Sequence, residues 1–175
     1  GFLAGLCFSG GFFVVSHVIR DRIDGIEDLE RVGRASEIMT AKSSYGQSSQ
    51  QVKDLCKEYG FANYYEASGL ITRSKAPDTG SFPISAMVIG DVGLAFFPGE
   101  PFGSQGKQLK DNSPVFAFLI TCSEEDQGYF PNALAKEESF YEYDQTKYAM
   151  GTGEAVMDRY CELFTQLMAG GDTAQ

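Results

Sequence analysis

A chain of 175 residues with 43% apolar and 22% charged side chains holds enough material for one globular domain with a core, which excludes a disordered tail. A formal net charge of −10 sets it against a nucleic-acid backbone or an anionic membrane surface and leaves cations and neutral substrates as the partners it can approach. The four cysteines, Cys7, Cys56, Cys122 and Cys161, form no C-x-x-C pair. The expectation is buried free thiols in a reducing compartment such as the bacterial cytoplasm.

The chain opens on "GFLAGLCFSGGFFVV", which lacks the basic n-region of a signal peptide and is short and glycine-rich for a membrane span. It reads as strand material over 2–8 and 12–18, broken by "SGG". An apolar strand at the first residue suggests a piece of a longer protein whose N-terminal part is missing. Asp24 offers an N-cap, and Ile26, Leu29, Val32 and Gly33 recur at helical spacing, predicting a helix from about 26 to about 41. Ser49 caps a second helix, "QQVKDLCKEY", which Gly60 ends. "FANYYEASGLITRSK" is rich in tyrosine and β-branched residues and reads as strand, followed by a loop, "APDTGSFP".

"ISAMVIGDVGLAFFPG" predicts two strands joined at Gly90-Asp91 by a tight hairpin turn. Pro101 is placed to open a short helix. "VFAFLIT" is a continuous apolar run, expected for a central strand covered on both faces. After the loop "SEEDQGYFPN", "NALAKEESF" predicts a helical turn or two. The last helix starts near Gly153, carries Val156, Tyr160, Leu163 and Leu167 as its apolar stripe, and ends at Gly170-Gly171. The alternation of strands and helices predicts a single α/β domain over 1–175, a mixed β-sheet covered by helices, as part of a larger layered α/β domain.

The chemistry concentrates after two of the predicted strands. Glu100 follows "LAFF" in "FFPGEPFG", with Pro98 and Pro101 on either side, at the carboxyl end of a strand where α/β sheets place ligands. A carboxylate held that stiffly suits a metal ligand or a general base, and also simply a helix start. "CSEEDQGYFPN" follows the next strand and carries Glu124, Glu125, Asp126 and Tyr129. If the two strands are neighbours, Asp126 and Glu100 come close and form a hard-oxygen site for Mg²⁺, Ca²⁺ or Zn²⁺; otherwise the acidic loop is merely solvated. "CFSGG" puts Ser9 in a setting like a nucleophile elbow, with His17, the sole histidine, eight residues on. A Ser9–His17 pair is one reading, and a hydrogen-bonded core histidine is the other.

Two stretches, "IGDVGLAFFPGEPFGSQGKQLKDNSP" and "GYFPNALAKEESFYEYDQTKYAMGTGEAVMDRYCELF", resemble the C-terminal part of the catalytic domain of neutral/alkaline (non-lysosomal) ceramidase-like proteins. Bacterial members tend to show a G-D-[VLI] strand, then P-G-E-P-F, a helix ending in S-P, an apolar strand, G-Y-[FIL]-P, and a G-T-[GA]-E that opens the last helix. "RVGRA" at 31–35 resembles the helix before this region. The resemblance spans Ile89 to Leu167. It implies a zinc-dependent amidase that cleaves the N-acyl bond of ceramide, with zinc held by two His, one Glu and one Tyr, and it matches that Glu to Glu100.

The sequence departs from the family pattern at two places. The ligand Tyr falls about three residues before the G-Y-[FIL]-P tyrosine, where this chain has Asp126. The Gly-Asp-x-[SN] stretch that carries the serine nucleophile has no residue-by-residue match around Ser9. At least one of the family's zinc histidines would lie upstream of this chain. The resemblance thus implies a part of a metal-dependent amide hydrolase with Glu100 as a metal ligand and a small-molecule or lipid amide as substrate. Asp126, in the place of the family's ligand Tyr, is a candidate second ligand on its own oxygen chemistry, and Tyr129 a candidate for substrate binding. The alternative is a non-catalytic binding or structural domain with the same fold and an incomplete metal site. Strand edges left open by truncation would invite self-association or pairing with the missing N-terminal part.

Overall fold

A computed structural model describes residues 13–18, 26–77, 79–123 and 126–171. The chain divides into two compact units, one built mainly from 81–132 and 150–175 and the other from 17–80 and 133–149. The fold is α/β, as the alternation of elements predicts.

The second unit holds helices α1 (Ile26–Tyr45), α2 (Gln50–Tyr59) and α3 (Tyr64–Lys75). Helix α1 runs four residues past its expected end. Helix α2 forms as read: Ser49 accepts from the Val52 N–H at 3.4 Å, and Gly60 closes the helix at φ +73°. The stretch expected to be strand is α3, and local polar chemistry outweighs its β-favouring composition. Asn63 accepts from the N–H groups of Tyr65 and Glu66, while Glu66 reaches back to the Ala62 N–H at 2.8 Å. Ala35 and Ile38 of α1, Val52 and Cys56 of α2, and Ala67 of α3 form the core of this unit.

The other unit contains the sheet. Strand β1 (Phe13–Val18) stands next to β2 (Thr79–Ile89), then β3 (Val92–Phe96), with β5 (Phe116–Ile120) at the far end. The strands β2 and β3 are antiparallel, with Ile89 opposite Val92 across the predicted turn. Gly90 takes φ +62°, the left-handed value its place in a two-residue hairpin turn needs. Strands β3 and β5 are parallel, with Val92 opposite Phe116 and Phe96 opposite Ile120, so the sheet is mixed. Between them come β4 (Glu100–Pro101) and α4 (Gly103–Asn112), and β4 pairs in parallel with β6 (Tyr129–Phe130). Pro101 therefore sits in β4, and α4 begins two residues later.

Helix α7 (Thr152–Gly171) packs beside α4 on one face of the sheet. Val156, Tyr160 and Leu163 are buried, as its stripe predicts, and Leu167 is half-buried. A Cβ on Gly93 would touch Val115 and the Phe164 ring, which places α7 against the face carrying Gly93, Ala95 and Ala117. The expectation that β5 is covered on both faces fails. Among the described strands β5 stands at the end of the order, and Phe116, Phe118 and Ile120 on its other face are exposed. A continuous apolar run reports apolar side chains, not what lies over them.

The short helices α5 (Ala133–Glu137) and α6 (Tyr141–Gln145) belong to the α1–α3 unit. Helix α6 lies directly on α3. Arg73 donates to the carbonyls of Tyr143 and Asp144 at 3.0 and 3.2 Å, and a Cβ on Gly69 would fall 1.6 Å from the Asp144 carbonyl oxygen.

Candidate functional site

Because β3 and β5 are parallel neighbours, the chain leaves both at the same edge of the sheet, and the two acidic loops emerge side by side. They are joined by backbone hydrogen bonds. The Phe97 N–H donates to Ile120 at 2.8 Å, Cys122 to Gly99 at 3.0 Å, Gln127 to Pro98 at 2.8 Å and Glu100 to Gly128 at 2.9 Å. Ser123 adds its hydroxyl to the Phe97 and Ile120 carbonyls. Pro98 and Gly99 are buried beneath this lacing, whereas Glu100 is exposed. The backbone under the carboxylate is thus held, and its side chain stands in solvent, open to a ligand.

Gly99 is the tightest point. A Cβ there would come within 2.5 Å of the Gly128 carbonyl oxygen and 2.7 Å of the Phe130 ring. Phe130 is buried and meets Phe97 and Phe82 edge to face, with centroids 4.7 and 5.5 Å apart. This aromatic cluster anchors β6, and the register of β6 on β4 sets Tyr129 beside Glu100. Tyr129 is half-buried. Asp126 is exposed, and its carboxylate accepts from the Gly128 N–H at 2.9 Å, an Asx turn that shapes the loop.

The expected site residues thus divide into two groups. Glu100, Asp126 and Tyr129 are carried by one pair of laced loops. His17 lies on β1, and Ser9 falls outside the described residues, as do Asp24, Glu124, Glu125 and the strand expected over 2–8. Among the described residues no three of His, Cys, Asp and Glu come together as a metal-holding group. A catalytic zinc takes three protein ligands, so the donor chemistry of two carboxylates fits a metal but their number does not complete a site.

Three further features of the chain have no signature in the sequence. Cys122 occupies the left-handed region at φ +52°, which costs a non-glycine residue about 1 kcal/mol, and it is exposed. Among the described cysteines only Cys56 is buried; Cys161 is half-buried, and burial pushes both thiols up, aided by the charge of Glu66 at Cys56 and of Asp158 at Cys161. The third feature is Gln105, fully buried on α4, whose Oε1 accepts from the Phe102 N–H at 3.0 Å and so closes the start of that helix. Its Nε2 and the Oε2 of Glu154 are buried with no hydrogen-bond partner. Gly153 lies under this amide, where a Cβ would come 2.4 Å from Nε2. Gly153 of "GTGE" is therefore required by packing.

A separate concavity of about 430 Å³ lies in the helical unit, lined by Val52, Lys53, Cys56, Lys57, Phe61 and Tyr64 among others. No helix among the described residues is long and apolar enough to cross a membrane. No protein-family model matches the chain, and no curated protein matches it.

Proposed function

We propose that the chain forms part of a metal-dependent amide hydrolase of ceramidase-like type, acting on an N-acyl amide of a small molecule or lipid. Glu100 and Asp126 act as oxygen ligands to zinc, and Tyr129 helps to seat the substrate. The observation that carries this reading is Glu100 itself: an exposed carboxylate on a backbone fixed by Gly128, at the carboxyl end of a parallel strand pair and beside a second acidic loop. Zinc, when bound, would polarise the amide carbonyl. The chain's own contribution is to aim the carboxylates and to keep the loop spacing constant through the lacing from Phe97 to Gly128.

A second reading is a binding or structural domain of the same fold with no catalysis. The single histidine and the departure from the Gly-Asp-x-[SN] pattern around Ser9 favour it. Elemental analysis of the purified chain and of Glu100→Gln separates the two. Near-stoichiometric zinc that is lost in the variant, followed by hydrolysis of N-acyl amides by the wild type alone, supports the hydrolase. Protein without metal affinity and without amidase activity would leave the second reading.

A further inference from the structure

The sheet has one face under α4 and α7, and on its other face Phe116, Phe118 and Ile120 of β5 are exposed. The parallel register sets Val92, Leu94 and Phe96 of β3 directly beside them. Strand β2 extends it with Met87 and Ile89, opposite Leu94 and Val92. Ser85, opposite Phe96, is the sole polar residue among these register positions, and none of them is charged. Exposure reaches 67% at Phe116, 46% at Phe118, 36% at Ile120 and 47% at Ile89. The Phe116 and Phe118 rings meet edge to face at 5.2 Å, so part of the surface is already ordered.

We propose that this face is an interface on which a second copy of the chain packs, sheet against sheet, about a two-fold axis. The area is enough for a weak, concentration-dependent dimer. With about 200 Å² for a fully exposed large side chain, the four exposed residues present roughly 400 Å² and the half-buried ones raise the face to about 550 Å². A monomer's largest apolar patch spans about 300–600 Å² and is often functional, and two such faces together bury about 1,100 Å², above the roughly 1,000 Å² a specific interface needs. An occupant of a face without charge must itself be flat and apolar, and this chain carries such a surface. Two sheets stack about 10 Å apart at about −30°, a geometry in which rows of Phe, Leu and Ile interdigitate, and a two-fold axis makes each face its own complement. The rest of the molecule opposes the contact, because each copy carries a net charge of −10. Salt screens that repulsion without touching the apolar contact, so the dimer tightens as ionic strength rises.

Sedimentation velocity over a concentration series, at low and at high salt, tests this with the wild type, Phe118→Glu and Phe116→Glu. The wild type is expected to pass from monomer to dimer with concentration, more readily at high salt. Each variant places two carboxylates in a desolvated interface and is expected to weaken the dimer at least about a hundredfold. Both substituted side chains are exposed in the single chain, so the variants should melt like the wild type at concentrations where the wild type is monomeric. A wild type that stays monomeric throughout overturns the proposal, also where it binds neutral phosphatidylcholine vesicles instead. So does a dimer that survives both substitutions, or one that dissociates as salt is added.

Discussion

Substituting Gly99 by Ala tests whether the frame beneath Glu100 depends on close backbone approach. The new Cβ would sit 2.5 Å from the Gly128 carbonyl oxygen and 2.7 Å from Cε2 of Phe130, where ordinary contact is about 3.5 Å. Neither neighbour yields easily: one is backbone, and the other is a ring buried among Phe82 and Phe97. The two loops must therefore part by about 1 Å, and overpacking of this kind costs about 1–3 kcal/mol. Parting weakens the bonds from Glu100 to Gly128 and from Gln127 to Pro98, each worth about 1 kcal/mol. The expected loss is about 2–4 kcal/mol, or a fall in Tm of about 5–15 °C for a chain of this size. Gly103→Ala is the control, since nothing lies within 4 Å of a Cβ there. Thermal and urea melts followed by circular dichroism measure both. A Gly99→Ala protein that melts with the control would refute the idea that the loops are held by this contact.

Two further outcomes follow from the packing of α6 on α3. Gly69→Ala drives a Cβ into the Asp144 carbonyl oxygen and should cost at least about 3 kcal/mol, read as early loss of the α1–α3 unit in urea and as faster exchange of amides in 141–145. Asp144 is 3% exposed, and its carboxyl is pushed up to about 6 from 3.8, by burial first and by Glu66 second, with Arg73 pulling the other way. Because the folded value is the higher one, the stability tied to this group is full below about pH 4 and is lost as pH rises through about 6. Asp144→Asn should therefore stabilise the protein at pH 8, by about 1–2 kcal/mol once partial solvent screening is allowed for, and make little difference at pH 4. An Asn variant that is weaker by the same amount at both values would show that the carboxylate is held by favourable contacts.

The sequence by itself determined those features that a few adjacent residues decide. Ser49 and Gly60 bracket α2 because a hydroxyl cap and a left-handed closing residue act within one turn, and Gly90-Asp91 sets the hairpin for the same local reason. The stripe of α7 was legible in its period. Glu100 and Asp126 stood out because each follows an apolar run and carries a charge where the chain must turn. Their placement in neighbouring loops was conditional on β3 and β5 being adjacent and parallel, and a hydrogen-bond register between distant segments leaves no trace in either segment alone.

Only the tertiary structure decided the rest. "FANYYEASGLITRSK" has the composition of a strand, yet Asn63 and Glu66 satisfy the first N–H groups of a helix, and α1 receives its inner face. "VFAFLIT" reads as buried on both sides, yet α4 and α7 cover one side, and the other carries Phe116 and Phe118 into solvent. Local chemistry fixes where elements begin, turn and end. Which face of an element is covered depends on surfaces far away in the chain or in another molecule.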